Sequence, residues 1–356
     1  MIEVKLDCLW SFGTTSARQA EQQIFGLLEA IHRTGSLNKA APVIGLSYRH
    51  LWNLVSKWSE KLGQPLVFLE RGRGARLTSF GEKLLWAHQR VRARLAPQLE
   101  NLASEVEQEL NDTIVTGRSV LRINASHDLA LAELRDMLNR QLNGPRIELQ
   151  FRGSLECLAS LARSQCDLAG FHIPVSISSK SLVLRYRRWL KPRSERLIEF
   201  VTRQQGLIVA NGNPKQIYRM IDLTKEGVRF VSRQQGSGTR LLLDMLLDQA
   251  GIEKEQIHGI QYEEFTHAAV AATVASGKAD VGMGIEAAAR QFNLDFVPIA
   301  SERYFLIAHQ NSMRLPAFKG LVSTIQSSEF KNIIAQLPGY DASRAGQIMS
   351  VTRLFQ

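Results

Sequence analysis

Two groups of residues in this sequence carry side chains suited to recognising another molecule. The first is Ser47-Tyr-Arg-His-Leu-Trp-Asn53, followed by Arg71, Arg73 and Arg76 set around Gly72 and Gly74. Ser47, Arg49, His50 and Asn53 offer donors and acceptors for base edges, and Arg49 suits guanine O6 and N7 or a phosphate. Tyr48 suits the sugar–phosphate backbone. The two glycines allow a narrow basic loop to approach a nucleic-acid backbone or minor groove closely. The second group is Gln235-Gly-Ser-Gly-Thr-Arg240, at the start of an apolar helical run. Free backbone N–H groups and the positive helix end meet there, beside the hydroxyls of Ser237 and Thr239 and the tight-turn residues Gly236 and Gly238. That arrangement binds anions. Ser126-His127, Gly153-Ser154, and Thr266-His267 stand at further junctions where helices begin, and His172 closes a strand. Several helix N-termini converging on one cleft would hold a small oxyanion without a formal counter-charge.

Plainer readings exist for most of these residues. Ser126, Ser154 and Thr266 can each be simple helix caps. Arg240 pairs equally well with an anion or with a neighbouring carboxylate. His172 and His267 are lone histidines of the kind that usually serve structure, and Asp280 reads as a turn residue. Trp52 and Trp58 read as core.

The elements that must position these groups follow from periodicity. Ile24, Leu27, Leu28 and Ile31 recur at helical spacing within 18–32, and Gly35 stops that helix. Ser36 caps a short helix over 37–43. Ser47 caps a third over 48–62, which Gly63 ends. A strand at 66–69, the basic turn and Leu77-Thr78 complete a helix–helix–helix–hairpin unit, the layout of a winged helix-turn-helix. A long helix over about 82–110 carries Leu84, Leu85, Val91, Leu95, Leu99, Leu102 and Val106 as an apolar seam, interrupted by Pro97, that suits a second copy of itself. Ile2, Val4 and Leu6 alternate with charged residues as a short strand would. Beyond a linker at 111–117, strands and helices alternate: 120–125, 129–142, 147–152, 155–164, 168–171, then 228–232, 239–250, 267–276 and 280–283. Short strands at 197–202, 207–210, 296–298 and 304–308 and two closing helices follow. Such alternation argues for parallel sheets with helices on both faces.

Composition fits this picture. Net charge is +10, with twelve Lys/Arg against three Asp/Glu (Glu60, Glu70, Glu82) between Arg33 and Arg94. A basic block of that kind favours a polyanion partner. Three cysteines without metal-type spacing are consistent with a reducing compartment, and neither a signal peptide nor a membrane-spanning run is expected. A cytoplasmic protein with no metal site follows.

The stretch GSLNKAAPVIGLSYRHLWNLVSKWSEKLGQPLVFLERGRGARLTSFGEKLL (35–85) resembles the DNA-binding domain of molybdate-dependent ModE-type regulators and, more distantly, of LysR-type regulators. The resemblance covers residues 20–110 and implies a dimer reading an inverted repeat. The small molybdate-binding β domain of ModE has no counterpart here. NASHDLAL (124–131), FRGSLECLASLARSQCDLAGFH (151–172), RQQGSGTR (233–240) and THAAVAATVASGKADVGMGI (266–285) are instead similar to periplasmic-binding-protein-like sensors. That implies two α/β lobes of the type 2 class with ligand between them.

The reading is therefore an α/β protein in three parts: a winged helix-turn-helix over 1–80, a dimerisation helix and linker over 81–117, and a periplasmic-binding-protein-like sensor over 118–356. Double-stranded operator DNA, a small anion and a second copy of the chain (as a homodimer or tetramer) are the expected partners, with no membrane and no covalent cofactor. Molybdate, tungstate, sulfate, formate or a related metabolite of molybdenum enzymes suits the hydroxyl and amide donors. A hydrolase fused to a DNA-binding domain is the alternative. It is disfavoured because Gly236-Ser-Gly238 lacks the G-x-S-x-G spacing and no HExxH, P-loop or post-strand GxGxxG is present. No catalytic residue is assigned.

Overall fold

Apolar side chains at three- and four-residue spacing build the smaller of two units in the computed structural model, which describes residues 2–12, 18–70, 74–112, 119–141, 144–175 and 185–354. That unit is Asp7–Ala93; the other comprises Met1–Leu6 and Arg94–Gln356. The partition falls inside a long helix rather than in the 111–117 segment, most of which lies outside the described residues.

In the smaller unit, helices α1 (Arg18–Thr34), α2 (Leu37–Val43) and α3 (Tyr48–Leu62) precede a hairpin of β1 (Val67–Glu70) and β2 (Gly74–Leu77), and α4 (Ser79–Asp112) begins. Ile24, Leu27, Leu28, Ile31, Leu51, Val55, Trp58, Leu66, Leu77 and Leu85 form its core. Each buried side chain of this size stabilises by about 1.5–3 kcal/mol, well above any helix-propensity difference. Gly35 follows α1 at φ +63° and Gly63 caps α3 at φ +66°. Ser36 starts α2 as expected, but its side chain makes no capping bond. Gly74 matters twice: its φ is +96°, and a Cβ there would collide with the Gly35 carbonyl. That carbonyl accepts from Ala75 N–H at 2.9 Å, so the wing is fastened to the α1–α2 turn. Trp10 and Phe12 pack on Phe25, which stacks on His88 at 3.8 Å. Burial lowers the His88 pKa to about 4.

The larger unit holds one mixed sheet. β3 (Val120–Ala125), β4 (Arg146–Phe151) and β5 (Leu168–Pro174) are parallel, with α5 (Leu129–Arg140) and α6 (Ser154–Ala162) between them. β6 (Glu195–Val209) leads to β7 (Phe230–Arg233), α7 (Gly238–Ala250), β8 (Glu263–Glu264), α8 (His267–Ala275), β9 (Val281–Ile285), α9 (Glu286–Gln291) and β10 (Asp295–His309). Helices Pro316–Gln326 and Ser328–Ile334 follow, and short strands β11 (Tyr340–Asp341) and β12 (Ile348–Ser350) pair with β6. The order is β4-β3-β5-β10-β6-β9-β7-β8. β10 pairs with β6 from Asp295 to His309, and its Glu302–Ala308 also pairs with β5 while Gln205–Val209 of β6 pairs with β9, so the long strand pair serves both lobes. One lobe is filled by Leu121, Ile123, Leu134, Leu149, Phe200 and Phe330, the other by Leu207, Phe230, Leu242, Val281 and Met283.

Three expectations need correction. The sheet is mixed, because β6 and β10 run antiparallel to their neighbours. Each of these is one strand of 15 residues rather than two short ones. Polar Gln204, Gln205, Ser301 and Glu302 break the apolar run where the strands cross between lobes, and periodicity reads that as a loop. Residues 2–6 form no strand either: Ile2 and Val4 donate to Asn111 Oδ1 and Glu107 Oε1 on α4, so the extended backbone lies against a helix. No helix among the described residues is long and apolar enough to cross a membrane.

Candidate functional site

α3 presents its polar residues outward because Leu51, Val55 and Trp58 claim the opposite face. Ser47 caps it by accepting from His50 N–H at 3.3 Å. Tyr48, Arg49, His50 and Asn53 are exposed along one side. Trp52 joins them at 39% exposure, against 4% for Trp58, so the two tryptophans expected in the core divide between surface and core. Arg76 is exposed on β2; Arg71 and Arg73 lie outside the described residues.

The second site is a cleft of about 180 Å³ in the larger unit. It is lined by Ser126, His127, Gly153, His172, Ser237, Gly238, Thr239 and His267, together with four arginines: Arg94, Arg152, Arg203 and Arg233. Among the described residues no Asp or Glu lines it. The acids stand behind the arginines. Arg203, on β6, is fully buried between Asp128 and Glu302, each 2.5 Å away. Arg233, at the end of β7, donates to Gln234 Oε1 at 3.1 Å and Phe265 O at 3.0 Å and has no ion pair among the described residues. Burial, then the Arg203 charge, lowers its pKa to about 9. It still carries its proton at neutral pH, at the cost of a desolvated cation that an anion would relieve.

The histidines are uncharged. His172 and His267 are buried and His127 is half-buried, and desolvation first, then the nearby arginines, push their pKa values down, that of His127 to about 3. Ser126 Oγ lies 3.0 Å from His172 Nδ1, and Ser154 donates to Ser126 at 3.3 Å. His172 Nε2 and His267 Nδ1 have no protein partner among the described residues. A buried polar atom left so costs about 1–3 kcal/mol unless a bound molecule satisfies it. Thr239 accepts from Gln205, itself bonded to Glu302. Ser237 caps α7, accepting from Arg240 N–H at 3.2 Å and donating to Gln234 O at 2.9 Å. The loops meet closely: a Cβ on Gly153 would lie 3.5 Å from the Gly236 carbonyl oxygen on the opposite lobe.

Residues 135–326, more than half of the chain, match the family described as "PBP superfamily domain". The chain belongs to the PBP superfamily. Residues 24–82 match "Bacterial regulatory helix-turn-helix protein, lysR family". This PBP-superfamily protein is thus a DNA-binding transcriptional regulator, a LysR-type helix-turn-helix followed by a PBP-like ligand-sensing domain. It is 28% identical over 253 residues to YvgK of Bacillus subtilis, covering 70% of this chain and 80% of that one. A protein encoded 5′ of a 2Fe–2S ferredoxin gene in Clostridium pasteurianum is 41% identical over 111 residues, 31% of this chain and 98% of its own length. The molybdenum-pterin-binding protein MopB of Rhodobacter capsulatus is 39% identical over 101 residues, 27% of this chain and 36% of MopB.

In this PBP-superfamily regulator, four sequence-derived candidates stand off the cleft wall. Ser154 is fully buried beneath Ser126. Thr266 caps α8 through Ala269 N–H at 2.9 Å. Gly236, at φ +81°, shapes the turn. Arg240 turns to Ser232, Asp244 and Glu263, the carboxylate pairing that was one of its two readings. Arg203 and Arg233 went unrecognised, and with them the cleft has formal counter-charges after all. An arginine in the polar interruption Thr202-Arg-Gln-Gln205 between two apolar runs was the available signal for the first, and the arginine directly before Gln-Gln-Gly-Ser-Gly-Thr for the second. Among the described residues no group of three or more His, Cys, Asp or Glu is placed to hold a metal ion.

Proposed function

We propose that this regulator senses a small oxyanion in the inter-lobe cleft and adjusts operator binding accordingly, as a dimer. The observation that carries the anion is the lining itself: four arginines, no carboxylate, and Arg233 without an acid partner among the described residues. The volume is close to that of a cavity of about 150 Å³ that takes up benzene, so a tetrahedral oxyanion or a compact carboxylate such as formate suits it. The similarity to MopB, a molybdenum-pterin-binding protein, favours molybdate among the former. Leu95, Leu99, Leu102, Val106 and Leu110 recur every three or four residues along α4, with Leu102, Val106 and Leu110 exposed, which supports pairing with a second copy. Tyr48, Arg49, His50 and Asn53 would read the major groove, and Arg71, Arg73 and Arg76 would hold the backbone.

A panel of molybdate, tungstate, sulfate and formate tests the sensor. A ligand at a hundredfold its Kd stabilises by about 2.7 kcal/mol, so the true ligand class raises Tm clearly in wild type and not in Arg233→Gln. No anion giving a shift, or an equal shift in the variant, sinks the proposal. Leu102→Glu with Val106→Glu should halve the sedimenting mass; an unchanged mass would move the dimer interface elsewhere.

A further inference from the structure

The cleft has a third wall that neither lobe supplies. Arg94, Pro97, Gln98 and Asn101 of α4 line it beside the loop residues. This stretch belongs to the larger unit and is fastened to both lobes. On one lobe, Asn101 pairs with the backbone of Phe151, accepting from its N–H at 2.8 Å and donating to its carbonyl at 3.1 Å. On the other, Arg94 binds the buried Glu264 at 2.5 Å. Both anchors adjoin the effector walls. Phe151 lies against His127, ring centroids 4.8 Å apart, and Phe265, next to Glu264, accepts from Arg233. Seven helical steps from Arg94 to Asn101, about 10 Å, thus span from one lobe to the other across the mouth.

We propose that residues 94–101 of α4 are part of the effector site: Arg94 and Gln98 face the bound anion, and Asn101 and Arg94 tie the helix to the two lobes so that lobe closure is felt by the helix directly. The proposal rests on the reading that the cleft takes an anion. Arg94 adds a cation to the lining and Gln98 a neutral donor, so this wall favours the same class of small oxyanion. Any change in lobe separation must stretch or relax the Arg94–Glu264 and Asn101–Phe151 ties, because one rigid helical turn pair carries both. The helix that continues toward the DNA-binding unit then reports occupancy without an intermediary.

Hydrogen exchange on the full-length protein, with molybdate, sulfate or formate as probe, tests this. Saturating probe should slow exchange several-fold both at Ser237–Leu241 and along residues 94–105 in wild type. In Asn101→Ala the protection at Ser237–Leu241 should persist while that along 94–105 is lost. Gln98→Ala, which removes no hydrogen bond among the described residues, should weaken probe affinity several-fold at unchanged Tm. Protection at Ser237–Leu241 with none along 94–105 in wild type overturns this inference and leaves the anion reading standing. So does wild-type behaviour in both variants. A probe set that protects neither region overturns both.

Discussion

The outward face of α3 and the cleft around Arg233 both hold polar side chains for a partner, yet one displays them and the other hides them. On α3 the groups come from seven consecutive residues, stand in water, and need only a buried opposite face to be aimed. In the cleft they come from α4, β3, β5, β6, β7 and the starts of α7 and α8, and Arg203 is held there between two buried carboxylates. A displayed surface can lose one residue and lose only recognition. A hidden one loses stability as well, because a buried charge without its partner costs several kcal/mol.

That contrast can be broken at graded cost. Arg203→Met strands Asp128 and Glu302 and should destabilise the larger unit by about 3–5 kcal/mol, measured by urea unfolding. A loss below 1 kcal/mol would mean the triad is not what holds the hinge strands. Acid comes next. His127, His172 and His267 have folded pKa values below their unfolded ones, so the unfolded chain binds more protons as pH falls beneath about 6.5. Stability from these groups is complete above that value and is lost progressively as pH falls below it. The smaller unit has only His88 of this kind among its resolved shifts, lowered to about 4, so calorimetry should show the larger unit's transition falling more steeply. Parallel declines would refute the contrast. Gly74→Ala should cost the smaller unit about 1–3 kcal/mol through positive φ and the Gly35 collision; an unchanged Tm would show the wing is loosely held. Arg49→Ala should weaken specific DNA binding by about 1–3 kcal/mol with no change in Tm. Arg73→Ala should lower affinity for all sequences alike and flatten the salt slope by about one unit.

How much could be read in advance divides along the same line. The three helices and the hairpin were legible to within two residues or so, since amphipathic spacing and the glycines at 35 and 63 are local signals. The α3 face followed from the same periodicity, although Trp52 was placed in the core because an aromatic between Leu51 and Leu54 looks apolar in sequence. In the sensor the strand ends and helix starts were visible, and Ser126, His127, His172, Ser237, Gly238, Thr239 and His267 do meet in one cleft. Ser154 and Thr266 could not be told from wall residues, because a cap and a ligand contact use the same hydroxyl at the same junction. Arg203 escaped because its meaning depends on Asp128 and Glu302, 75 and 99 residues away, and Arg233 because its burial beside Arg203 is a tertiary fact.

Trp52 also gives the molecule an optical handle. Of five tryptophans, four (Trp10, Trp52, Trp58, Trp86) fall before residue 94 and one, Trp189, beyond it. Trp58 sits in an apolar core beneath Lys61, whereas Trp52 shares the solvent-facing side of α3 with Tyr48 and Asn53. Its emission is therefore red-shifted relative to that of Trp58 and open to quenching by iodide. A duplex laid along α3 would shield it, so the loss of quenching reports occupancy of that face without any attached dye.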